Sequence, residues 1–208
     1  MEKLNYNVDY GFTPESFPMG THICFIYSSS EARRKVMSKF VESGLSAKEK
    51  FIYLADVATD ADIDGYFEQL GLDVLKYRQS GQLFVEPARK GYCPDGRFDV
   101  ERMLNTLRSY YKKADEEGYT GLRGTGEPVW IKEGVPGVEN WFMYESLINK
   151  LLVEYPFSGV ICQYDANIYD GATLFDVLNV HPLMIVQGQI LRNPYYVQPD
   201  EFMATHFD

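Results

Sequence analysis

The stretch THICFIYSSSEARRKVMSKFVESG, residues 21–44, decides the fold class. Its first part, Thr21 to Tyr27, is an apolar run without strict polar alternation, which is typical of a strand buried on both faces of a parallel sheet. Three serines that can cap a helix follow, and apolar residues then recur at helical spacing as far as Phe40 and Val41. Gly44 is expected to end this helix. The stretch therefore predicts a buried strand followed directly by a helix.

Strands and helices continue to alternate along the chain. Further strands are predicted at 51–56, 82–87 and 159–165 and in YTGLRGTGE, where the strand ends near Arg123, and helices at 60–70, 99–117, 138–153 and 173–178. Parallel strands need crossover connections of this length, so the alternation predicts a three-layer α/β sandwich around a mainly parallel sheet. Near the end, Gly188 separates two apolar runs, which predicts antiparallel C-terminal strands.

Composition limits the class of protein. The chain has 208 residues, a 45% hydrophobic fraction and a net charge of −10, which suits a globular domain that repels a phosphate backbone. Direct nucleic-acid binding is therefore not expected. No run approaches the roughly 18 apolar residues of a membrane helix, and the N-terminus does not resemble a signal peptide. We expect a cytoplasmic protein without membrane contact, with its three cysteines reduced.

The domain organisation is simple. Residues 1–18 are polar and aromatic and contain Pro14 and Pro18, so we interpret them as an N-terminal arm. Residues 19–208 show no internal repeat, linker or low-complexity tract. They are predicted to form a single domain.

Polar residues collect where the predicted strands end. The first strand ends in Tyr27 with Glu31 close behind, and the second ends in Asp56. Later strands contribute the remaining members of this set: Glu86, Arg123, Glu127, Tyr164 and Asp165. In open α/β sheets, ligands bind outside the carboxyl ends of the strands. The polar residues therefore predict a ligand site at that edge, although loop ends are commonly polar in any protein.

The first strand-to-helix turn carries no phosphate-binding loop. Such a loop needs glycines whose amides turn inward, together with a lysine and a hydroxyl. The turn here reads YSSSEARRK, with no glycine and with Glu31 in the first helical turn. ATP hydrolysis at this turn is not expected.

Metal and nucleophile chemistry have weak signals. His22 and Cys24 share one strand face, Cys162 lies on another strand and His181 precedes a third. Their spacing matches no zinc signature, and plain packing of buried cysteines is the favoured interpretation. We therefore predict no metal and no catalytic residues, while leaving open whether His22, Cys24 and Cys162 bind an ion. No GxSxG elbow is present.

Two segments are unusually aromatic for loops, GLRGTGEPVWIKEGVPGVENWFMYE and CQYDANIYD. Their aromatic side chains could line an apolar pocket, with Arg123, Glu127 and Glu145 as orienting groups. Packing of the helix against the sheet would explain Trp141 and Phe142 equally well. Trp130, which lies between glycines and prolines, is the better pocket candidate.

Several strings, taken in order, resemble one family. They are GTHICFIYSSSEARR, KFIYLAD, GLRGTGEPVW, NWFMYESLINKLL, VICQYD and VLNVHPLMIVQGQILRNPYYVQP, and they are similar to the MEDS domain, the methanogen/methylotroph DcmR sensory domain. The resemblance spans about residues 20–202. It implies a RecA/KaiC-like core without a working Walker A loop. It also implies a sensor of hydrocarbon derivatives, such as halogenated or methylated one-carbon compounds.

The resemblance carries over to particular positions. The family's first-strand His, Tyr and Glu match His22, Tyr27 and Glu31, and its Tyr-Asp pair matches Tyr164 and Asp165. Its Gly-Leu-Arg…Gly-Glu…Trp stretch matches Gly121, Leu122, Arg123, Gly126, Glu127 and Trp130, with Pro128 as a departure from the pattern. Adding candidates from the strand ends and the aromatic segments gives the predicted ligand-binding set: His22, Tyr27, Glu31, Asp56, Arg123, Glu127, Trp130, Tyr144, Tyr164 and Asp165.

The leading hypothesis is a non-catalytic sensor of a small organic molecule. MEDS domains occur alone, beside DNA-binding regions or fused to histidine kinases, so the resemblance implies a signalling partner such as a histidine kinase or a regulator. Two alternatives stay open. One is an enzyme with Glu127 or Asp165 as general base and Arg123 as electrostatic stabiliser. The other is an assembly scaffold that self-associates as a homo-oligomer through NPYYVQPDEF. No cofactor can be named from the sequence.

Overall fold

A computed structural model describes residues 7–57 and 59–207 of the chain. The strands are β1 (Asn7–Asp9), β2 (Ser16–Pro18), β3 (His22–Tyr27), β4 (Lys50–Ala55), β5 (Leu83–Pro87), β6 (Leu122–Gly126), β7 (Gly159–Asp165), β8 (Leu183–Val186) and β9 (Gln189–Arg192). The helices are α1 (Ser30–Ser46), α2 (Ile63–Gln69), α3 (Leu75–Gln79), α4 (Ala88–Tyr92), α5 (Val100–Glu116), α6 (Trp141–Glu154), α7 (Gly171–Val180) and α8 (Pro199–His206). Short 3₁₀ turns cover Asp60–Asp62, Val129–Glu133 and Val138–Asn140.

The main sheet has seven strands in the order β5-β4-β6-β7-β3-β8-β9. Every neighbouring pair is parallel except the final hairpin of β8 and β9. At the tip of that hairpin, Gln187 and Gly188 both have positive φ, as tight hairpin turns require. The predicted mainly parallel sheet with an antiparallel ending is confirmed.

Side-chain alternation along the strands divides the core into two layers. Ile23 and Phe25 of β3 face α1 and α2, where Phe40 and Phe67 pack against them in one apolar cluster. Cys24 faces the other way, into a second cluster supplied by α5, α6 and α7. The predicted three-layer sandwich is therefore confirmed. Among the described residues, no helix combines the length and the apolar character needed to cross a bilayer.

Two local predictions were wrong. Helix α1 continues past Gly44 to Ser46, so Gly44 lies inside it. A glycine is needed at this position because a Cβ there would come 2.8 Å from Cδ of Arg123. The strand predicted to end near Arg123 in fact begins at Leu122 and runs to Gly126. Arg123 therefore lies at the amino end of β6.

The described part of the predicted N-terminal arm, residues 7–18, forms the hairpin of β1 and β2. Between these strands Tyr10 is completely buried, and its hydroxyl donates a 2.9 Å hydrogen bond to the carbonyl of Ser158. Residues 1–6 of the arm lie outside the described residues. The hairpin is thus attached to the core through an aromatic anchor.

Candidate functional site

A buried carboxylate, Glu127, follows β6 at the carboxyl edge of the sheet. Arg33 of α1 donates a 2.9 Å hydrogen bond to its Oε1, and the hydroxyl of Tyr53 in β4 donates another at 3.2 Å. The hydroxyl of Tyr66 in α2 donates to the same oxygen. The side-chain amide of Gln163 in β7 donates to the hydroxyl of Tyr53 at 3.0 Å and to Oε1 of Glu127 at 3.4 Å. Four elements thus meet on one carboxylate oxygen.

The Glu127 carboxylate is neutralised by a neighbouring cation. Burial raises the pKa of Glu127 above its usual range, and the Arg33 guanidinium opposes that shift. The same carboxylate raises the pKa of Arg33, which therefore stays charged. The group is a closed ion pair surrounded by phenols, and its contacts do not present Glu127 as an open general base.

Several predicted residues lie around this ion pair. The Arg33 guanidinium lies 5.8 Å from the ring centroid of Tyr27. Burial raises the pKa of Tyr27, and the nearby charges of Glu127 and Asp165 raise it further. Asp56 lies close enough for Arg33 to oppose the rise that burial causes in its pKa. Glu31 is exposed. The structure thus brings Tyr27, Asp56, Glu127 and Asp165 to one edge, as the strand ends predicted.

Arg123 is not part of this group. It is buried at the opposite, amino edge of the sheet, where it pairs with Glu49 and donates a 2.9 Å hydrogen bond to the carbonyl of Phe40. It also donates at 2.7 Å to the carbonyl of Asp9. The expectation that Arg123 stands beside Glu127 was wrong because the strand was placed too early in the sequence.

A second buried polar group lies on the other face of the sheet, around Glu145 of α6. Oε2 of Glu145 lies 3.2 Å from Nε2 of His22 and 3.4 Å from Nε2 of His181. The Sγ of Cys162 donates to the same oxygen at 3.4 Å and lies 3.4 Å from Nε2 of His22. All four side chains are buried. One ligand atom from each lies within 4.8 Å of the others, a spacing that could hold a metal ion.

Outer contacts orient this second group. Asn149 Oδ1 lies 3.1 Å from Nδ1 of His22, and the carbonyl of Val177 lies 2.7 Å from Nδ1 of His181. The hydroxyl of Tyr164 donates at 2.9 Å to Oε1 of Glu145. His22 and Tyr164 of the predicted site therefore belong here and not with Glu127.

Burial and the neighbouring side chains together set the pKa values of the second group. It lowers the pKa of His22, and the neighbouring His181 lowers it further. Burial raises the pKa of Cys162, and the Glu145 carboxylate adds to that rise. Burial also acts to raise the pKa of Glu145, but the imidazoles of His181 and His22 outweigh it and hold that pKa well below its usual range.

The predicted aromatic pocket is mostly filled. Trp130 is buried against the rings of Tyr92, Phe98 and Trp141, with centroids 5.3 to 5.5 Å apart. Tyr144 belongs to the same aromatic cluster. Beside that cluster, a cavity of about 30 Å³ remains between β6, β7, α5 and α6, and Glu145 and Cys162 form part of its wall. A small cavity therefore lies beside Tyr144, and a larger groove of about 530 Å³ lies at the carboxyl ends of β3 and β8, where Tyr27, Ser28 and Val186 line it.

Sequence reasoning undervalued the residues that make these groups specific. Arg33 was considered only as part of a phosphate turn, and Tyr53 and Tyr66 were not considered. Glu145 was considered only as an orienting group in an aromatic pocket. The available signal was its place beside Tyr144 and Ile148 on the mainly apolar face of a helix, because a charge buried on such a face needs partners.

Solved structures define the class. The KaiC-like protein PH0186 from Pyrococcus horikoshii OT3 superposes with a TM-score of 0.60 at 14% identity, covering 86% of this chain and 79% of that one. The flagellar accessory protein FlaH from Methanocaldococcus jannaschii gives 0.50 at 11%, covering 83% and 76%. At these identities the likeness shows the fold, which is that of a RecA/KaiC-like α/β protein.

The sequence defines the family within that class. The family model of the MEthanogen/methylotroph, DcmR Sensory domain (MEDS) matches residues 21–182, and the chain belongs to this family. The transcriptional repressor DcmR of Methylorubrum extorquens is 27% identical over 161 residues, which are 77% of this chain. The match covers 57% of the repressor, so the chain spans little more than half of that relative.

Proposed function

We propose that this chain is a sensory domain whose ligand is a small, uncharged organic molecule held in the cavity beside α6. The observation that carries the proposal is the size of that cavity, about 30 Å³. Since one water-sized group needs roughly 10–15 Å³ by this measure, the space admits about two such groups. One- or two-carbon compounds have that size. Hydrocarbon derivatives, which the family resemblance implies, fit this limit.

The walls of the cavity favour an apolar guest with one polar atom. Met103 and Leu107 come from α5, and Ile148 and Leu152 from α6. Burying a charge among such side chains without a partner is costly, so a charged ligand is disfavoured. Glu145 and Cys162 supply the polar part of the wall. They would orient a hydroxyl or halogen of the guest.

Signalling would begin at α6. A ligand changes a protein only by binding one of its states better than another. Helix α6 contributes Tyr144 and Ile148 to the cavity and also packs against α7 and α8. A change in the position of α6 would therefore reach the outer helices. There a partner protein, a histidine kinase or a DNA-binding regulator, would read it.

The test is a sealed-cell thermal unfolding series with chloromethane, methanol and dimethyl sulfide, and with 1-chlorobutane as a size control. A ligand of the folded state raises Tm with concentration. We expect chloromethane or another one-carbon member to do so, and the butyl compound to have no effect. If no member of the series raises Tm, the proposal fails.

The Gly124→Ala substitution locates the binding. Gly124 lines the cavity, and an added Cβ would lie 3.7 Å from the ring of Phe157 and 3.8 Å from Val160, which is ordinary contact. We expect this variant to fold and to lose the ligand-induced rise in Tm. Gly65→Ala, at an exposed position of α2 where an added Cβ has no neighbour within 4 Å, is the matched control and should keep it. An unchanged response in Gly124→Ala would contradict the proposed location.

A further inference from the structure

The donor atoms of the Glu145 group all lie within 4.8 Å of one another, and four of their six separations are close to those around a tetrahedral ion. His22 Nε2, Cys162 Sγ and Glu145 Oε2 are 3.2 to 3.4 Å apart, and His181 Nε2 lies 3.4 Å from the same carboxylate oxygen. Zinc bonds of 2.0 to 2.3 Å in tetrahedral geometry separate neighbouring donors by about 3.3 to 3.8 Å. These four distances thus lie near those expected around a bound zinc ion.

Both histidines direct Nε2 at the centre of the group. The amide nitrogen of Asn149 donates to the carbonyls of Ser146 and Val180, at 3.1 and 2.8 Å, which leaves its oxygen to accept from Nδ1 of His22. The carbonyl of Val177 likewise accepts from Nδ1 of His181. With Nδ1 engaged in these outer contacts, each imidazole directs Nε2 inward as the ring nitrogen left for an ion. Metal-bound histidines are oriented in the same way.

One of these nitrogens has no hydrogen-bond partner. His181 is completely buried, and its Nε2 makes no hydrogen bond. Buried polar atoms in native proteins nearly always have a partner. In addition, no Arg or Lys within residues 7–57 and 59–207 pairs with Glu145. The group therefore combines an unsatisfied donor atom with an unbalanced carboxylate, and a cation at its centre would supply both needs.

We propose that His22, Glu145, Cys162 and His181 bind one Zn²⁺ ion. Two imidazoles, a thiolate and a carboxylate are a borderline-soft donor set, which suits zinc. Calcium and magnesium prefer oxygen ligands, so their binding here is disfavoured. The ligands come from β3, α6, β7 and the end of α7, so their spacing in sequence matches no short zinc motif. This proposal departs from our sequence-based preference for plain packing at these positions, and it takes up the question of an ion that the sequence left open.

The site also adjoins the cavity. Glu145 and Cys162 line it, so the ion would stand in its polar wall, where the heteroatom of a guest could approach. This consequence rests on the proposed function. The zinc site itself does not, because it follows from the four side chains and their outer contacts alone.

The experiment measures metal binding by the full chain without any organic ligand. Because the site is buried, the protein is unfolded with denaturant and EDTA and then refolded with equimolar Zn²⁺ or Co²⁺. We expect one metal per chain by elemental analysis and a higher Tm with Zn²⁺. With Co²⁺ we expect visible absorption of tetrahedral cobalt and a thiolate-to-cobalt charge-transfer band. Folded wild-type protein that retains no metal and shows no such band would overturn the proposal.

Variants assign the ligands. Cys162→Ser should abolish the charge-transfer band, whereas Cys93→Ser, a buried thiol outside the group, should leave it unchanged. If Cys162→Ser does not fold, Asn149→Leu tests the site from outside the ligand set and should weaken metal binding about 10- to 100-fold. A band that persists in Cys162→Ser, or full affinity in Asn149→Leu, would contradict the assignment. If the refolded protein binds no metal but still responds to chloromethane, the zinc proposal fails and the proposed function stands.

Discussion

Two buried carboxylates on opposite faces of one sheet are balanced in different ways. Glu127 faces α1 and α2, and its charge is met by the guanidinium of Arg33 and by two phenols. Glu145 faces α7 and is met by two histidines and a thiol, without Arg or Lys among the described residues. The first group is complete as it stands. In the second group, Nε2 of His181 has no hydrogen-bond partner, and the group adjoins a cavity.

This difference makes the Glu145 group a better candidate for a binding site than the Glu127 group, which the strand ends had predicted. Position at the carboxyl edge of the sheet pointed to Glu127, and the ligands of α/β folds commonly bind there. The contacts of that group are nevertheless satisfied internally, which is typical of an ion pair that joins elements. Unsatisfied buried atoms and a cavity are stronger indications of a binding site. They occur together on the Glu145 face.

The largest effect is expected from Arg33→Met. Removing one partner of a buried pair leaves the other charge uncompensated, so we expect the free energy of unfolding to fall by about 3 kcal/mol. Adding Glu127→Gln should restore part of that loss, because the remaining charge is then removed. Urea denaturation measures both.

Arg34→Met, on the exposed neighbour, is the matched control and should change stability little. A loss in Arg33→Met no greater than in the control would show that the Glu127 group is not a stabilising ion pair.

On the Glu145 face, Leu152→Ala should act through packing. Leu152 is buried and lines the cavity, so truncation should cost at least about 2 kcal/mol and enlarge the space. A larger cavity should accept longer guests, and 1-chlorobutane should then raise Tm where it has no effect on the wild type. Thermal unfolding with and without the compound checks both effects. Stability lost without any change in size preference would argue against the cavity as the binding site.

The smallest effect is a pH dependence specific to Glu127. Because burial raises its pKa above the ordinary 4.5, the folded protein holds this proton more tightly than the unfolded chain does. The contribution of Glu127 to stability should therefore fall as pH rises from about 4.5 to the raised pKa, and stay constant above it. The change amounts to about 1.4 kcal/mol per pKa unit.

The measurement compares urea denaturation of the wild type and Glu127→Gln between about pH 4 and about pH 8. The difference between the two free energies of unfolding isolates Glu127 from other titrating groups. In the Arg33→Met background the falling range should extend to higher pH, since Arg33 opposes the rise in pKa. A difference that grows with pH in favour of the wild type would mean that the ion pair outweighs burial.

Much of the fold could be predicted because its signals are local. The apolar run of β3 and the serine cap of α1 lie within ten residues, and the cap is observed as Ser29 accepting from the amide of Ala32. Gly44 was wrongly predicted to end α1, because the need for a glycine there comes from a tertiary contact. Arg123 approaches it from a strand about eighty residues away in the sequence. The strand that became β6 was predicted to end too early, near Arg123, because Gly124 and Gly126 weaken the strand pattern beyond that residue.

The site was less predictable because it depends on which face each side chain takes. The alternation on β3 correctly put His22 and Cys24 on one side. It could not show that α6 covers that side, nor that Glu145 lies opposite His22. Only the crossover order of the strands brings Cys162 beside β3. The strand-end rule therefore identified Glu127, whereas the other group lies between the sheet and α6, and its carboxylate Glu145 was not connected with His22, Cys162 and His181.

The position of Arg123 has a consequence for the N-terminal hairpin. Its guanidinium takes the carbonyl of Asp9 as a hydrogen-bond acceptor and lies 5.2 Å from the ring centroid of Tyr10. The hairpin thus shields a charge that would otherwise meet solvent at the amino edge of the sheet. A boundary drawn at residue 18 runs through the surroundings of that charge, and a chain trimmed there would lose part of its own interior.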